Sequence, residues 1–155
     1  MTAQMTARRP KVIPPVYLLA AALAMLALNR WLPVRQLIAG PWRWAGLVPA
    51  LAGLAIGGSA VRVFVRRKTT IRPGNTSSSL AIEGPFRFTR NPMYLGMTLL
   101  LTGLAIGLGT LSPWLLVPLF VLAIATDVIP AEEAMLADTF GEDYRGYQVR
   151  VRRWV

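Results

Sequence analysis

Apolar residues along this chain fall into four long runs that are separated by short polar or basic stretches. The runs extend over residues 14–32, 44–65, 92–108 and 113–129. Crossing the hydrocarbon core of a bilayer takes about 20 predominantly apolar helical residues, and each run approaches or reaches that length. The pattern therefore predicts an all-α, polytopic membrane protein with four transmembrane helices.

Basic residues flank these runs and predict their orientation. They cluster before the first run, between the second and third runs, and after the fourth, whereas the turn over 109–112 is uncharged. Cytoplasmic loops of membrane proteins carry the excess of Lys and Arg, so both termini and the loop between the second and third runs are expected in the cytoplasm. Arg30, Arg35 and Arg43 on the other side are fewer. We expect an integral protein of the bacterial inner membrane.

Composition narrows the chemistry. The 155 residues carry a net charge of +10 and include neither Cys nor His. Thiolate nucleophiles, haem ligation and ordinary zinc sites are therefore excluded, and no metal is expected. The positive charge borders apolar runs and no recognised nucleic-acid-binding module is visible, so no nucleic-acid partner is expected. No internal repeat or second domain is visible, which predicts a single domain over 1–155.

The segment 84–96 is rich in arginine and aromatic residues and leads directly into the third apolar run. Asn91 occupies the position of a helix N-cap, and Pro92 the first helical position. A helix N-terminus with free amide donors and a positive dipole end is thus expected at the membrane surface, beside Arg87 and Arg90. Such a place can hold an anionic group of a ligand.

The short turn between the third and fourth runs predicts an antiparallel hairpin. Each run is about 25 Å long at 1.5 Å per residue, so Asn91 and Tyr94 should lie close to Glu132 and Glu133. A basic helix N-terminus would then face an acidic pair across a cleft at membrane level. This arrangement suits a zwitterionic ligand.

The residues after Pro130 predict two short helical pieces. Residues 131–140 begin with acidic residues, and Gly141 is expected to end the helix. Tyr144, Tyr147 and Val151 then recur at helical spacing, which predicts a short amphipathic C-terminal segment lying on the membrane.

Both segments resemble motifs of the isoprenylcysteine carboxyl methyltransferase and phospholipid methyltransferase superfamily of integral-membrane methyltransferases. The matching residues are Gly84-Pro85-Phe86-Arg87, Arg90 through Gly96, Glu132-Glu133, Leu136, Phe140-Gly141, Tyr144, Tyr147 and Arg150-Val151. The motif-bearing part covers roughly residues 62–153. The resemblance implies S-adenosylmethionine as methyl donor, bound at the cytoplasmic side by the two motifs, and a hydrophobic or lipid-like acceptor that enters from the membrane lipid.

The resemblance also implies roles for individual residues. The expected catalytic residues are Glu132, Glu133 and Arg90. The expected cofactor-binding residues are Asn91, Pro92, Tyr94, Leu95, Gly96, Glu132 and Glu133. The expected substrate-binding residues are Arg87, Tyr144, Tyr147 and Arg150.

One departure from the family pattern bears on the reaction. Asn91 stands where the family often has His, and Asn can replace a hydrogen-bonding His but not a basic one. Methyl transfer to a carboxylate or thiolate needs chiefly alignment and desolvation, whereas an ammonium must first lose a proton. A carboxylate or thiol acceptor is therefore favoured over an amine.

Some of these residues, and a few others, also have a purely structural interpretation. Glu132 and Glu133 are about 100° apart on a helix and cannot address one ligand in the same way. For Tyr144 and Tyr147, a role as membrane anchors is preferred over a role in ligand binding. Asp127, an acid within the fourth run, is expected to pair with Arg62 or an arginine of the central loop. The small-residue spacings of Gly53 with Gly57 and of Gly103 with Gly107 predict helix contacts.

Two other functions remain open at this point. One is a non-catalytic membrane protein that keeps the fold and binds lipid or serves as a scaffold for a partner. The other is a different enzyme activity on a similar scaffold, such as reduction. The identity of the cofactor distinguishes them: S-adenosylmethionine for a methyltransferase, a nicotinamide nucleotide for a reductase, and neither for a scaffold.

Overall fold

A computed structural model describes residues 12–66 and 80–155. The basic residues expected to orient the chain lie partly outside this range, namely Arg8, Arg9, Lys11, Arg67, Lys68 and Arg72. The helices are α1 (Pro14–Trp31), α2 (Leu47–Arg66), α3 (Pro92–Leu108), α4 (Leu116–Ala123) and α5 (Ile129–Arg150). Short 3₁₀ helices precede α2 at Gly40–Gly46, α3 at Gly84–Arg87 and α4 at Ser112–Leu115. The described residues contain no strand, which confirms the all-α prediction.

The fourth apolar run continues through Pro130 instead of ending there. A π-helical segment, Ile124–Val128, joins α4 to α5, and the amide of Ile129 donates to the carbonyl of Ile124. Proline lacks an N–H and its ring crowds the carbonyl four residues earlier, which in this chain belongs to Thr126. The wider π turn accommodates that ring, so the helix boundary expected at Pro130 is wrong.

Gly141 interrupts α5 as expected. Its φ of 52° and ψ of −119° are non-helical, and the positive φ costs a glycine little because it has no Cβ. The segment beyond it turns its aromatic face inward, since Tyr144 and Tyr147 are buried against Leu80 and Phe140. The prediction that this face lies on the membrane, with both tyrosines as anchors, is therefore wrong.

Glycines allow α2 and α3 to pack closely and antiparallel. A Cβ on Gly53 would stand 2.5 Å from the carbonyl oxygen of Gly96, and a Cβ on Gly103 would stand 2.5 Å from that of Gly46. The prediction of small-residue helix contacts is confirmed, because a Cβ on Gly96 would also stand 3.1 Å from the backbone nitrogen of Gly57, and one on Gly46 would stand 3.0 Å from that of Gly107.

Two helical stretches among the described residues are long and apolar enough to cross a membrane, Gly40–Arg66 and Ser112–Arg150. The third helix, Pro92–Leu108, is apolar but has 17 residues. Large side chains such as Leu51, Leu54 and Leu122 are exposed on the outer surface, where lipid would cover them. The count of four membrane spans stays a prediction.

The acid within the fourth run has a partner on the first helix. The hydroxyl of Tyr17 donates a hydrogen bond of 2.9 Å to Oδ2 of Asp127. Pairing of Asp127 with an arginine of the central loop, most of which lies outside the described residues, stays a prediction, and sequence patterns alone do not reveal that α1 brings Tyr17 there. Pairing of the acid with another side chain, the structural interpretation, is confirmed.

Candidate active site

The two motifs meet at a cavity of about 590 Å³. The start of α1, the end of α2, the start of α3 and both halves of α5 form its wall. Its polar lining residues are Arg90, Asn91, Tyr94, Glu132, Glu133, Tyr144 and Tyr147. Phe64, Phe86, Met93 and Met97 are among the apolar ones. The predicted approach of the third run to the acidic pair is thus confirmed.

Glu132 is joined to the first turn of α3. The hydroxyl of Tyr94 donates a 2.7 Å hydrogen bond to its Oε1. Burial raises the pKa of Glu132 from its usual 4.5 to about 7, the Tyr94 hydrogen bond opposes the rise, and the charge of Glu133 adds to it. Glu132 lies beyond the apolar run that ends at Ile129. With a pKa of about 7, its carboxyl group is partly protonated at neutral pH.

Glu133 faces two arginines instead. Arg153 donates from Nε to Oε1 at 3.1 Å and from Nη2 to Oε2 at 2.5 Å. Nη1 of Arg90 lies 3.2 Å from Oε1. The two-point contact holds the guanidinium of Arg153 in one orientation, and the hydrogen bond raises the pKa of Arg153.

Arg90 keeps unused donor capacity at the cavity. Its Nε and Nη1 are buried, and neither makes a hydrogen bond within the described part of the chain, although Nη1 is close enough to Glu133 for an ion pair. Buried donors without acceptors are uncommon in proteins. An anionic group of a ligand would supply the missing acceptor.

Asn91 lines the cavity and also holds the C-terminal residues. It occupies the N-cap position of α3, but its side chain makes no capping hydrogen bond. Its Nδ2 instead donates to the backbone oxygen of Arg153 at 2.9 Å, and Oγ1 of Thr89 donates to the same oxygen at 3.1 Å. The amide of Arg90 also donates to the carbonyl of Arg152. These bonds fasten the C-terminal residues to the loop before α3.

The remaining predicted site residues divide into two groups. Pro92, Tyr144 and Tyr147 line the cavity, and the hydroxyl of Tyr147 donates to the carbonyl of Phe86 at 2.7 Å. The cavity lining does not include Leu95, Gly96, Arg87 or Arg150. Gly96 packs on α2, whereas Arg87 and Arg150 are exposed on the surface.

Arg153 was missed as a site residue. In the sequence it is one of several basic residues near the end of the chain, and no periodicity sets it apart. Its role depends on the fold of residues 151–154, which return to the start of α3. Within residues 12–66 and 80–155 no cluster of His, Cys, Asp and Glu could hold a metal ion.

Comparison with known proteins identifies the family. A family model described as phospholipid methyltransferase matches residues 42–143, more than half of the chain. The chain belongs to the phospholipid methyltransferase family. This match includes the segment 84–96 and both glutamates of the cavity, and methyltransferase activity on a lipid-like substrate is what the family points to.

A Haemophilus influenzae protein, itself described as uncharacterized, is 41% identical over 63 residues. The aligned region covers 41% of this chain and all of that protein. No solved structure matches.

Proposed function

We propose that this member of the phospholipid methyltransferase family transfers a methyl group from S-adenosylmethionine to a membrane-embedded, lipid-like acceptor. The reaction would take place at the cytoplasmic face of the bacterial inner membrane, with both termini in the cytoplasm. The observation that carries the proposal is the cavity in which the carboxylate of Glu132 and the unused donors of Arg90 share one space with an apolar wall.

The cavity residues fit the polar groups of S-adenosylmethionine. Nε and Nη1 of Arg90 are buried donors without hydrogen-bond acceptors in the described residues, and a carboxylate would satisfy them. Glu132 would hold a cationic group, because within the described residues its carboxylate accepts a hydrogen bond from Tyr94 alone. S-adenosylmethionine supplies an electrophilic methyl group on a sulfonium.

The two glutamates would act differently. Glu133 is engaged by Arg90 and Arg153, so we assign it the role of positioning those side chains. Glu132 is held by one neutral hydroxyl and keeps its second oxygen for a ligand. We therefore propose Glu132 as the acid that contacts the cofactor or the reacting acceptor.

The apolar wall would contribute alignment and exclusion of water. Phe64 and Phe86 meet edge to face, with ring centroids 5.4 Å apart, and Met93 packs beside them. A dry, shaped space strengthens every electrostatic contact inside it and holds the acceptor in line with the methyl donor. The apolar part of a lipid-like acceptor fits against these side chains.

The acceptor nucleophile is a carboxylate, thiol or amine. The sequence argument favours a carboxylate or thiol, since neither needs a strong base. The carboxylate form of a group whose pKa is about 7 is present near neutral pH and can take a proton from an ammonium, so Glu132 would provide the base that an amine acceptor requires. The amine becomes an equal candidate on this account.

Labelled-methyl transfer by the purified chain in nanodiscs tests the proposal. Three acceptors are offered separately: a prenylated cysteine with a free carboxylate, phosphatidylethanolamine, and a long-chain thiol. We expect label in at least one of them and binding of S-adenosylmethionine by calorimetry. A folded protein that binds neither S-adenosylmethionine nor its demethylated product would overturn the proposal, and binding of a nicotinamide nucleotide instead would favour a reductase.

A further inference from the structure

A second cavity, of about 500 Å³, lies at the other end of the α2–α3 pair from the candidate active site. Gly103 and Gly107 near the end of α3 form one wall, and Trp44, Leu47 and Ala50 form the other. None of its lining residues lines the active-site cavity. On α3 the lining of the active-site cavity ends at Met97 and that of the second cavity begins at Leu100, so the two cavities follow one another along the helix. We call this second cavity the outer groove.

Arg43 lines the outer groove and its guanidinium is held in place. Nε donates to the carbonyl of Ile38 at 3.3 Å, and the side chain crosses Gly109, where an added Cβ would stand 2.7 Å from Nε. Gly109 also has a φ of 77°, which favours glycine. No other hydrogen bond of Arg43 is made within residues 12–66 and 80–155, so its two Nη groups can bind a ligand.

This end of the protein carries positive charge without acidic residues. Arg30, Arg35 and Arg43 lie here, whereas the seven acidic residues are Glu83 and those between 127 and 143. The three arginines oppose the positive-inside distribution, so membrane orientation does not account for them. Trp42 and Trp44 are 76% and 72% exposed beside them, as expected of aromatic residues at headgroup level.

We propose that the outer groove binds an anionic phospholipid, with the phosphate on Arg43 and an acyl chain along the wall formed by Gly103 and Gly107. Charge complementarity selects this occupant over a second copy of the chain. Two copies meeting at this end would bring arginines together with no acidic residue to offset them. The site goes beyond the proposed function, because the lipid is bound away from the cavity where methyl transfer would occur.

Space for the acyl chain is present at Gly107. A Cβ built there meets no atom within 4 Å, whereas one at Gly103 would meet the carbonyl of Gly46 at 2.5 Å. The acyl chain of the lipid would therefore lie beside Gly107, outside the close contact between the helices. Occupancy would hold the start of α2 against the end of α3 and raise the thermal stability of the protein.

Native mass spectrometry of the full chain in detergent tests the proposal. Phosphatidylglycerol and phosphatidylcholine with identical acyl chains are added in turn, and the retained lipid is measured. We expect about a tenfold preference for phosphatidylglycerol, because phosphatidylcholine carries the same phosphate together with a choline cation that the arginines at this end repel. Arg43→Gln should abolish the preference, and Gly107→Leu should reduce lipid retention because the leucine fills the groove.

Matched variants control for charge and for helix propensity. Arg35→Gln removes the same charge from the same end but outside the groove lining, and Gly58→Leu introduces the same side chain into open space on α2. Both should bind phosphatidylglycerol as the parent does. Equal retention of the two lipids by the parent, or unchanged binding by both groove variants, would overturn the proposal. So would a dimer that Gly107→Leu converts to a monomer. If one groove variant does not fold, the other decides.

Discussion

The hydroxyl of Tyr94 donates a 2.7 Å hydrogen bond to Oε1 of Glu132, which ties the first turn of α3 to the first turn of α5. The two residues are 38 positions apart in the chain. The bond closes the hairpin of the third and fourth apolar runs at the cavity end, where burial raises the pKa of Glu132. Neighbouring Glu133 points to two arginines instead.

Replacing Glu132 by Gln should weaken binding of S-adenosylmethionine and remove its dependence on pH. Loss of one charge-assisted contact corresponds to about a ten- to hundredfold lower affinity. In the parent, the pKa of about 7 means that Glu132 is mostly protonated below neutral pH. Affinity for the cationic cofactor should therefore fall about tenfold per pH unit below 7. Titration calorimetry between pH 5.5 and 7.5 measures both effects, and a parent without pH dependence would contradict the assignment.

The same raised pKa predicts the sign of a stability effect. The folded state holds the Glu132 proton more tightly than the unfolded state, so this group stabilises the fold fully below pH 4.5 and ceases to do so as pH rises through about 7. Glu132→Gln should consequently unfold at a higher temperature than the parent at pH 8, with little difference at pH 4.5. A lower melting temperature of the variant at pH 8 would contradict the burial argument.

Replacing Glu133 by Gln should chiefly destabilise the C-terminal residues. The change leaves Arg90 and Arg153 facing each other without the carboxylate between them, at a cost on the order of 1.5–3 kcal/mol. Limited proteolysis should then remove the end of the chain faster than in Glu142→Gln, which alters an exposed ion pair. Equal digestion of the two variants would show that Glu133 does not hold the tail.

Asn91→Ala and Asn91→His separate the binding role of Asn91 from its contact with the tail. Loss of the 2.9 Å bond to the backbone oxygen of Arg153 should cost Asn91→Ala about 1 kcal/mol of stability. Asn91→His keeps a donor at this place and should retain S-adenosylmethionine binding. Thermal unfolding and calorimetry are compared for both variants. If Asn91→Ala matched the parent in both measurements, Asn91 would have no role in cofactor binding or in holding the C-terminal residues.

Gly53→Ala should loosen the contact between α2 and α3. The new methyl group would stand 2.5 Å from the carbonyl oxygen of Gly96, so the helices must move apart, at about 1–3 kcal/mol. Gly58→Ala is the matched control, because a Cβ there meets no atom within 4 Å and alanine favours the helix. Unfolding in detergent should rank the two variants on opposite sides of the parent. Equal stability of both would contradict the close contact.

The chain without cysteine allows a direct test of orientation. Val149 is 88% exposed in the last helix, and Trp42 is 76% exposed at the other end. A membrane-impermeant thiol reagent applied to intact cells should label Trp42→Cys but not Val149→Cys, if the termini are cytoplasmic. The reverse pattern would place the active-site cavity outside the cytoplasm, away from the supply of S-adenosylmethionine.

Local signals in the sequence determined the helical class of this protein and several of its helix boundaries. The start of α3 at Pro92 follows from the fixed φ and missing N–H of proline, and the interruption at Gly141 from the tolerance of glycine for positive φ. Apolar run lengths predicted the helical class, and the short turn at 109–112 predicted the approach of Tyr94 to the acidic pair. Each of these depends on residues near one another in the chain, or on helix lengths alone.

Only the tertiary structure decided which glutamate faces which partner. The wider turn of the π-helical segment before Pro130 rotates α5 about its axis relative to a continuous α-helix. The directions in which Glu132 and Glu133 point therefore cannot be read from an ideal helix. The contacts of Arg153 with Glu133 and of Tyr17 with Asp127 join residues 20 and 110 positions apart. Such contacts arise from the packing of whole helices, because close van der Waals contact between the helices sets their positions and the polar side chains then pair with whatever lies opposite.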